Sequence, residues 1–139
     1  MLIDDPEQSE RAERRLREDT VIWLTTVRAD GQPQSTPVWF LWDGERNLLI
    51  MSQPNKPKLR NIASNPRISL HFDDHDGDDV VALECEATVA TETISGEEHS
   101  AYIEKYSDLI AALGMTPDSF SAEYSVPVRA RIARARAPF

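Results

Sequence analysis

Short runs of apolar and β-branched residues, separated by tight turns, dominate the pattern of this chain. Each run has the length and the composition of a β-strand, and turn residues such as Ala29-Asp30-Gly31 and Asp43-Gly44 lie between them. Pro37 falls inside the second run, which predicts an edge strand or a bulge because proline donates no ladder hydrogen bond. The strands predicted in this way are residues 20–28, 32–42, 47–53, 67–73, 80–92 and 124–135.

Helical signals interrupt these strands at four places. Asp5-Pro6 predicts the start of a helix over residues 6–18, whose thin apolar stripe of Ala12 and Leu16 is typical of a surface helix. A short helix begins at Pro57 and ends before Asn65-Pro66. A longer helix over 96–113 follows a capping-box pattern at Ser95 and Glu98 and is closed by Gly114. Thr116-Pro117 predicts a short helical turn. The predicted packing face of the long helix consists of Tyr102, Ile103, Tyr106, Leu109, Ile110 and Leu113.

This order of elements indicates a mainly β fold with some helix (β+α). Helix, three strands, short helix, two strands, helix and strand, joined by hairpin-length turns, favour an antiparallel barrel with helices packed at its ends. At 139 residues, the chain is expected to form a single domain over 1–139.

Composition narrows the classes of function. The formal net charge is -9, which argues against a nucleic-acid partner because phosphate backbones require a broad basic surface. No apolar run reaches the roughly 18 residues that a transmembrane helix needs, so no membrane association is expected. The N-terminus lacks the apolar region of a signal peptide. The single cysteine, Cys85, is typical of a reducing cytoplasm.

The scarce positive charge is concentrated in one place. Two of the three lysines, Lys56 and Lys58, lie at the start of the short helix, and Arg60 follows them. A helix N-terminus offers free N–H groups and partial positive charge, so two added ammonium groups indicate an anion site, most simply for a phosphate. Two alternatives stay open at this point: the cluster is a solvated surface, or it pairs with the acidic hairpin at residues 73–79.

Three stretches of the chain resemble one family. The run LLIMSQPNKPKLRNIASNPRISLHF (48–72) is similar to the central motif of the pyridoxamine 5'-phosphate oxidase-like split β-barrel family, and ADGQPQSTPVWFLWDGERNLLI (29–50) is similar to its preceding hairpin. The late stretch YSVPVRARIARAR (124–136) resembles the F420-dependent (PPOX-class) subgroup. The resemblance covers roughly residues 12 to 136.

The resemblance implies a six-stranded antiparallel split β-barrel (the FMN-binding split barrel) that forms a homodimer with cofactor sites at the subunit interface. It implies coenzyme F420, a deazaflavin, as cofactor, with FMN as the alternative. Lys56, Lys58 and Asn61 would hold the phosphate end, with Ser52 beside it. Thr36, Pro37, Val38 and Trp39 would line the ring, and Arg60 belongs to the same cofactor-binding segment.

The implied function is an F420-dependent oxidoreductase that transfers a hydride between the cofactor and an unidentified small organic substrate. Two alternatives keep the fold: an FMN-binding oxidoreductase, and a non-enzymatic flavin- or haem-binding protein. A protein-interaction module without a ligand is a further option. No catalytic residue or metal site is identified. His71, His75 and His99 are interpreted as structural or solvated residues. The late arginines extend the anion track for a glutamate tail or simply face outward; these are Arg129, Arg131, Arg134 and Arg136.

Overall fold

The computed structural model describes residues 1–74 and 76–138. Within these residues the chain forms seven strands and four helices, in an order that follows the predicted one. The elements are α1 (Pro6–Glu18), β1 (Ile22–Val27), β2 (Pro33–Val38), β3 (Leu41–Trp42), β4 (Asn47–Ser52), α2 (Pro57–Ser64), β5 (Arg67–His71), β6 (Ala82–Val89), α3 (Gly96–Ala112), α4 (Pro117–Glu123) and β7 (Val126–Arg136).

All strands belong to one curled antiparallel sheet. Its order is β2-β1-β5-β6-β7-β4-β3, and the curl makes a half-barrel with helices at its ends and on its outer face. This confirms the predicted antiparallel split barrel. β2 lies at one edge of the sheet, which explains how Pro37 is accommodated there.

The strand count differs from the expected six because residues 32–42 form two strands. β2 pairs with β1, whereas β3 pairs with β4, so the chain crosses the opening of the barrel at Trp39 and Phe40. The backbone of Phe40 bonds to side chains of α3 at this point. Its N–H donates to the hydroxyl of Tyr106 (2.8 Å), and its carbonyl accepts from Lys105 Nζ (2.9 Å).

The inner face of the sheet forms the first core. Ala12 and Leu16 of α1 are fully buried against it, so the thin stripe of this helix closes the barrel although its other face is exposed. Asp5 caps α1 as predicted, accepting hydrogen bonds from the N–H groups of Glu7 and Gln8. Besides Leu16, the largest fully buried side chains of this core are Ile22, Leu24, Phe40, Leu48, Ile50, Leu70, Leu83 and Ile132.

A second core lies outside the barrel, where α3 and α4 cover β4. Tyr102, Tyr106 and Ile110 of α3 are buried there with Leu49 and Phe120. The predicted packing face of α3 is wrong at two positions, because Leu109 and Leu113 are 37% and 58% exposed. The buried stripe repeats every fourth residue, at Tyr102, Tyr106 and Ile110, and Leu113 is the C-cap that follows α3. None of the helices in the described ranges has the length and apolar character needed to cross a membrane.

Candidate functional site

The site is built around the turn that joins β4 to α2. Asn55 adopts a positive φ of 64°, a left-handed conformation that asparagine tolerates better than most residues. The chain then enters α2 with Lys56 as N-cap and Pro57 in the first turn. The Lys56 side chain does not cap the helix, and the first turn holds no acidic residue. The N-terminus of α2 therefore presents its positive end without a carboxylate of its own.

Two cavities meet at this turn. The aromatic cavity, of about 220 Å³, is lined by Pro37, Val38, Trp39, Met51, Ser52, Gln53, Lys56, Lys58, Tyr102, Leu113, Phe120 and Tyr124. The polar cavity, of about 230 Å³, is lined by Thr26, Gln34, Ser35, Thr36, Lys56, Pro57, Lys58 and Asn61. Lys56 and Lys58 line both. A ligand that occupies both cavities, with an apolar end, a polar end and an anionic group between them, would contact both lysines.

Lys58 is half-buried and lies beside the charge of Lys56. Burial is the main cause that lowers its pKa, and the neighbouring charge of Lys56 lowers it further. Neither lysine forms an ion pair within the described part of the chain. A bound anion would reverse both effects, because an opposite charge favours the protonated ammonium.

The acidic hairpin does not neutralise the lysines. Its Asp79 pairs instead with α1, at 3.2 Å from Arg14 and 3.0 Å from Arg15. The alternative in which the lysine cluster pairs with residues 73–79 is therefore wrong for the described residues, a range that excludes His75. This leaves an anion site or a solvated surface as the interpretation of Lys56 and Lys58.

Asn61 joins α2 to the barrel. Its side chain is buried, and Nδ2 donates to Thr26 Oγ1 and to Gln34 Oε1, each at 2.9 Å. Both amide hydrogens are thus used within the protein, so Asn61 positions α2 while it lines the polar cavity. Sequence reasoning missed Thr26 and Gln34, because their proximity to Asn61 depends on the pairing of β1 with β2.

The other predicted site residues divide between the cavities. Pro37 to Trp39 line the aromatic cavity with Ser52, whose buried hydroxyl donates to the Gln53 carbonyl (2.8 Å). Thr36 lines the polar cavity instead. Arg60 is exposed on α2 and lies outside the described lining of both cavities.

Trp39 belongs to an aromatic stack that forms one wall of the aromatic cavity. Its ring lies parallel to that of Tyr106, with centroids 4.5 Å apart and an interplanar angle of 4°, and it also stacks on Phe120 at 5.5 Å. Tyr102 and Tyr124 complete the wall. The sequence signal for Tyr102 and Tyr106, an i,i+4 aromatic pair in α3, predicted core packing and not the lining of a site.

The family assignment follows from this fold and from a family model that spans most of the chain. The family model for pyridoxamine 5'-phosphate oxidase matches residues 8–135. The chain belongs to this family. Its fold is the flavin-binding split barrel, and the family includes oxidoreductases. A search of the curated proteins found no significant match.

Solved structures share the family fold at low identity. An F420 reductase is 23% identical with a TM-score of 0.66, covering 89% of this chain and 94% of its own. An FAD-binding protein from Mesorhizobium loti is 21% identical with a TM-score of 0.69, covering 91% and 89%. The haem storage protein HutZ from Vibrio cholerae is 17% identical with a TM-score of 0.61, covering 96% and 93%. These similarities establish the fold; the ligands named are those of the three relatives.

The late arginines of this family member face outward. The register of β6 against β7 shifts between the pairs Cys85–Ile132 and Glu84–Arg134, which leaves Ala133 as a β-bulge. With this bulge, all four arginines are exposed on the outer side of β7. This is the outward-facing interpretation made from the sequence. None of the four lines the aromatic or the polar cavity. Arg129 instead forms a two-pronged pair with Glu98 of α3, at 2.7 and 2.9 Å.

The pair between Glu98 and Arg129 gives a pH-dependent prediction. The hydrogen bond from Arg129 is the main cause that lowers the pKa of Glu98 to about 2, below its usual 4.5. Its stabilisation is therefore fully present above pH 4.5 and is lost as the pH falls through 2. Because both groups are partly exposed, Glu98→Gln should lower the free energy of unfolding by only about 0.5–1 kcal/mol at neutral pH. Urea unfolding at several pH values measures this, with Glu97→Gln as the matched control. An equally large loss of free energy of unfolding in Glu98→Gln near pH 2 would contradict the assignment of this stabilisation to the pair.

Lys105 gives a second pH-dependent prediction. Its ammonium bonds to the Phe40 carbonyl and lies 3.7 Å from the centroid of the Phe40 ring. Burial lowers the pKa of Lys105 from 10.5 to about 8, against a smaller opposing effect of Asp19. Between those values the unfolded chain binds more protons, so the free energy of unfolding should rise with pH over that range. In Lys105→Met, the free energy of unfolding measured with urea should not show this rise with pH. The same rise in the variant and in the wild type would contradict the prediction.

The histidines occupy separate places. His71 faces outward from β5 and stacks on Trp23, with ring centroids 6.5 Å apart. His99, on α3, lies with Nε2 2.9 Å from Ser121 Oγ of α4. His75, predicted to lie in a turn, is outside the described residues.

Proposed function

We propose that this chain is an F420-dependent oxidoreductase that acts as a reductase on a small organic substrate. The observation that carries the proposal is the pair of lysines at the N-terminus of α2, unpaired among the described residues and facing two cavities at once. Resemblance of residues 124–136 to the F420-dependent subgroup favours F420 over FMN, and the family fold is compatible with either.

The residues present fit such a cofactor. Lys56, Lys58 and the backbone N–H of Lys58 would bind its phosphate, since charge-assisted hydrogen bonds to phosphate are among the stronger ones in proteins. Pro57 has no N–H, and that of Leu59 donates to the Lys56 carbonyl at 3.0 Å. Pro37, Val38 and Trp39 would line one side of the ring, with Ser52 beside it. When bound, the deazaflavin supplies hydride transfer to or from carbon, and the protein supplies orientation.

The protein positions that ring through its second core. Tyr106 is fully buried and holds the backbone of Phe40, so the adjacent Trp39 has a fixed place in the wall. A wall set by buried packing keeps the geometry needed for hydride transfer, for which small displacements are costly. No residue is assigned as a proton donor.

We further propose that the active form is a homodimer in the cytoplasm. Trp23, Thr25 and Val27 alternate with the buried residues of β1 and are half-buried on its other side. The resemblance implies that the cofactor sites form where two such subunits meet. Sedimentation of the purified protein tests the dimer, and a monomer at micromolar concentration would remove it.

Activity measurements separate the proposed function from its alternatives. The purified protein is mixed with reduced F420 and a panel of uncharged quinones and conjugated ketones, and the absorbance of oxidised F420 is followed. Protein-dependent recovery of that absorbance with at least one acceptor is expected. Turnover with FMN but not F420 would move the chain to the FMN-binding oxidoreductases. A haem spectrum without turnover would favour a non-enzymatic haem-binding protein.

A further inference from the structure

The three lysines of the chain differ in their surroundings. Lys56 is exposed and Lys58 is half-buried, and both line the aromatic and the polar cavity. Lys105 is also half-buried, but it lines neither cavity, and its amine donates to the Phe40 carbonyl at 2.9 Å. Lys58 is thus the half-buried lysine that a molecule in these cavities can reach. No carboxylate pairs with it among the described residues.

The surroundings of Lys58 favour a nucleophilic amine. Burial disfavours the charged ammonium, and the neighbouring charge of Lys56 acts in the same direction, so the pKa of Lys58 is lowered. A neutral primary amine attacks carbonyl carbon, and lysines activated by burial or by a second cation form imines with carbonyl compounds. Lys58 combines both conditions with a place on the lining of a cavity.

Lys56 is a cation available to an anionic group on the same molecule. It lies two residues before Lys58 and lines the same two cavities. A carboxylate or phosphate held there would lower the neutral fraction of Lys58 before reaction. A protonated imine carries positive charge again, so the same anion would stabilise the product. The two lysines together therefore favour a carbonyl compound that is also an anion.

The aromatic cavity offers a place for a ring. Trp39, Phe120 and Tyr124 line it, and their rings stack in sequence, with centroids 5.5 Å apart for Trp39 and Phe120 and 4.7 Å apart for Phe120 and Tyr124. A single aromatic ring fits within its volume of about 220 Å³ and would bury apolar surface against this stack. An aryl aldehyde in the cavity could present its carbonyl group to Lys58, which lines the same space.

We propose that Lys58 of the ligand-free protein forms a reversible imine with small aromatic aldehydes that carry a carboxylate or a phosphate. The Lys58 nitrogen bonds to the carbonyl carbon, its two hydrogens pass to the carbonyl oxygen through solvent, and that oxygen leaves as water. The imine then takes up a proton, and no oxidant or reductant is consumed. This activity goes beyond the proposed function, and a bound cofactor would exclude it because both use Lys56 and Lys58.

Reductive trapping tests the site in the ligand-free protein. The protein is incubated at neutral pH with 4-formylbenzoate and cyanoborohydride, which reduces an imine to a stable amine, and mass spectrometry of peptides gives the labelling rate of each lysine. Lys58 should react about tenfold faster than Lys56 or Lys105. Lys105 is the internal control, since burial lowers its pKa to about 8 without placing it at either cavity. Equal labelling of the three lysines, or fastest labelling of Lys105, would overturn the proposal.

Unfolding removes the cavities and keeps the sequence. In concentrated urea the three lysines should react at rates within about twofold of one another, because their surroundings become alike. The N-terminal amine is read from its own peptide and does not enter the comparison. A preference for Lys58 that persists in urea would come from its neighbours in sequence and would overturn the proposal.

Lys56→Ala tests whether Lys56 selects the anion. Methyl 4-formylbenzoate is the uncharged probe, and the quantity compared is the Lys58 labelling rate with 4-formylbenzoate divided by that with the ester. This ratio should fall about fivefold or more in Lys56→Ala; as a ratio, it is independent of changes in the nucleophilicity of Lys58. Arg67→Ala removes an exposed cation outside the described lining of both cavities and should leave the ratio unchanged. An unchanged ratio in Lys56→Ala would overturn the proposal.

F420 keeps this proposal separate from the proposed function. Saturating F420 should slow the labelling of Lys58 about tenfold or more and leave that of Lys105 unchanged. Selective labelling of Lys58 in a protein that binds no F420 would retain the imine site and remove the cofactor assignment. F420 binding by a protein in which Lys58 is not selectively labelled would retain the cofactor and overturn the imine site.

Discussion

Lys58→Ala should weaken F420 binding roughly 10- to 150-fold, the equivalent of losing about 1.5–3 kcal/mol from a charge-assisted hydrogen bond to phosphate. The lysine is half-buried beside Lys56 and pairs with no carboxylate among the described residues. Its ammonium therefore has no described stabilising partner until an anion binds. Fluorescence quenching of F420 on titration with protein measures the loss.

The thermal stability of the ligand-free protein distinguishes binding from structure. Removing Lys58 also removes its repulsion from Lys56, so the melting temperature without ligand should stay the same or rise slightly. Arg17→Ala is the matched control, since Arg17 is an exposed cation of α1 paired only with Glu10 among the described residues. Unaltered F420 affinity in Lys58→Ala combined with a clear loss of stability would show that the lysine is structural.

Tyr106→Phe should lower the free energy of unfolding by about 1–3 kcal/mol, the cost of leaving buried backbone groups without a partner. The hydroxyl accepts from the Phe40 N–H at 2.8 Å and donates to the carbonyl of Thr20 at 2.8 Å or of Phe40 at 3.0 Å. Tyr106 is fully buried, so water cannot replace these bonds without rearrangement. Urea or thermal unfolding measures the change.

Tyr124→Phe is the control for the loss of a tyrosine hydroxyl. Tyr124 stacks on Phe120 in the same second core, yet its hydroxyl has no hydrogen-bond partner among the described residues. Its removal should change the free energy of unfolding by no more than about 0.5 kcal/mol. Equal losses in the two variants would mean that the Tyr106 hydroxyl does not hold the crossing at Phe40.

The parts of the fold that the sequence predicts best are those fixed by local interactions. α1 runs over residues 6–18 as predicted because Asp5 caps it and Pro6 suits its first turn. Ser95 and Glu98 form the expected capping box of α3, and Gly114 follows that helix with a positive φ of 75°. These signals lie within a few residues of the structure that they determine.

The break between β2 and β3 could not be predicted in the same way. Residues 32–42 read as one strand, because nothing nearby marks Trp39 and Phe40 as unpaired. The partners of the Phe40 backbone are Lys105 and Tyr106, more than 60 residues further along the chain. Likewise, the exposure of Leu113 depends on where α3 ends relative to the sheet. Tertiary contacts at long separation determine both features.

In the candidate site, too, the residues positioned by local interactions could be predicted and those positioned by long-range packing could not. The motif over 48–72 identified Lys56 and Lys58, whose position depends on a turn and a helix start that are local. The spacing of Tyr102 and Tyr106 predicts core, because rings at helical spacing bury equally well in either place. Only the packing of α3 and α4 against β4 shows that Tyr102 and Phe120 line cavities as well.

The most direct test of the central claim is a titration of the wild-type protein with F420 and, separately, with FMN, each followed by fluorescence quenching. Binding of F420 at micromolar concentration or tighter, with clearly weaker binding of FMN, is the result expected for a deazaflavin-dependent reductase. Preferential binding of FMN would contradict the choice of cofactor. Absence of binding by either would contradict the assignment of Lys56 and Lys58 to a cofactor phosphate and would leave them as a solvated surface.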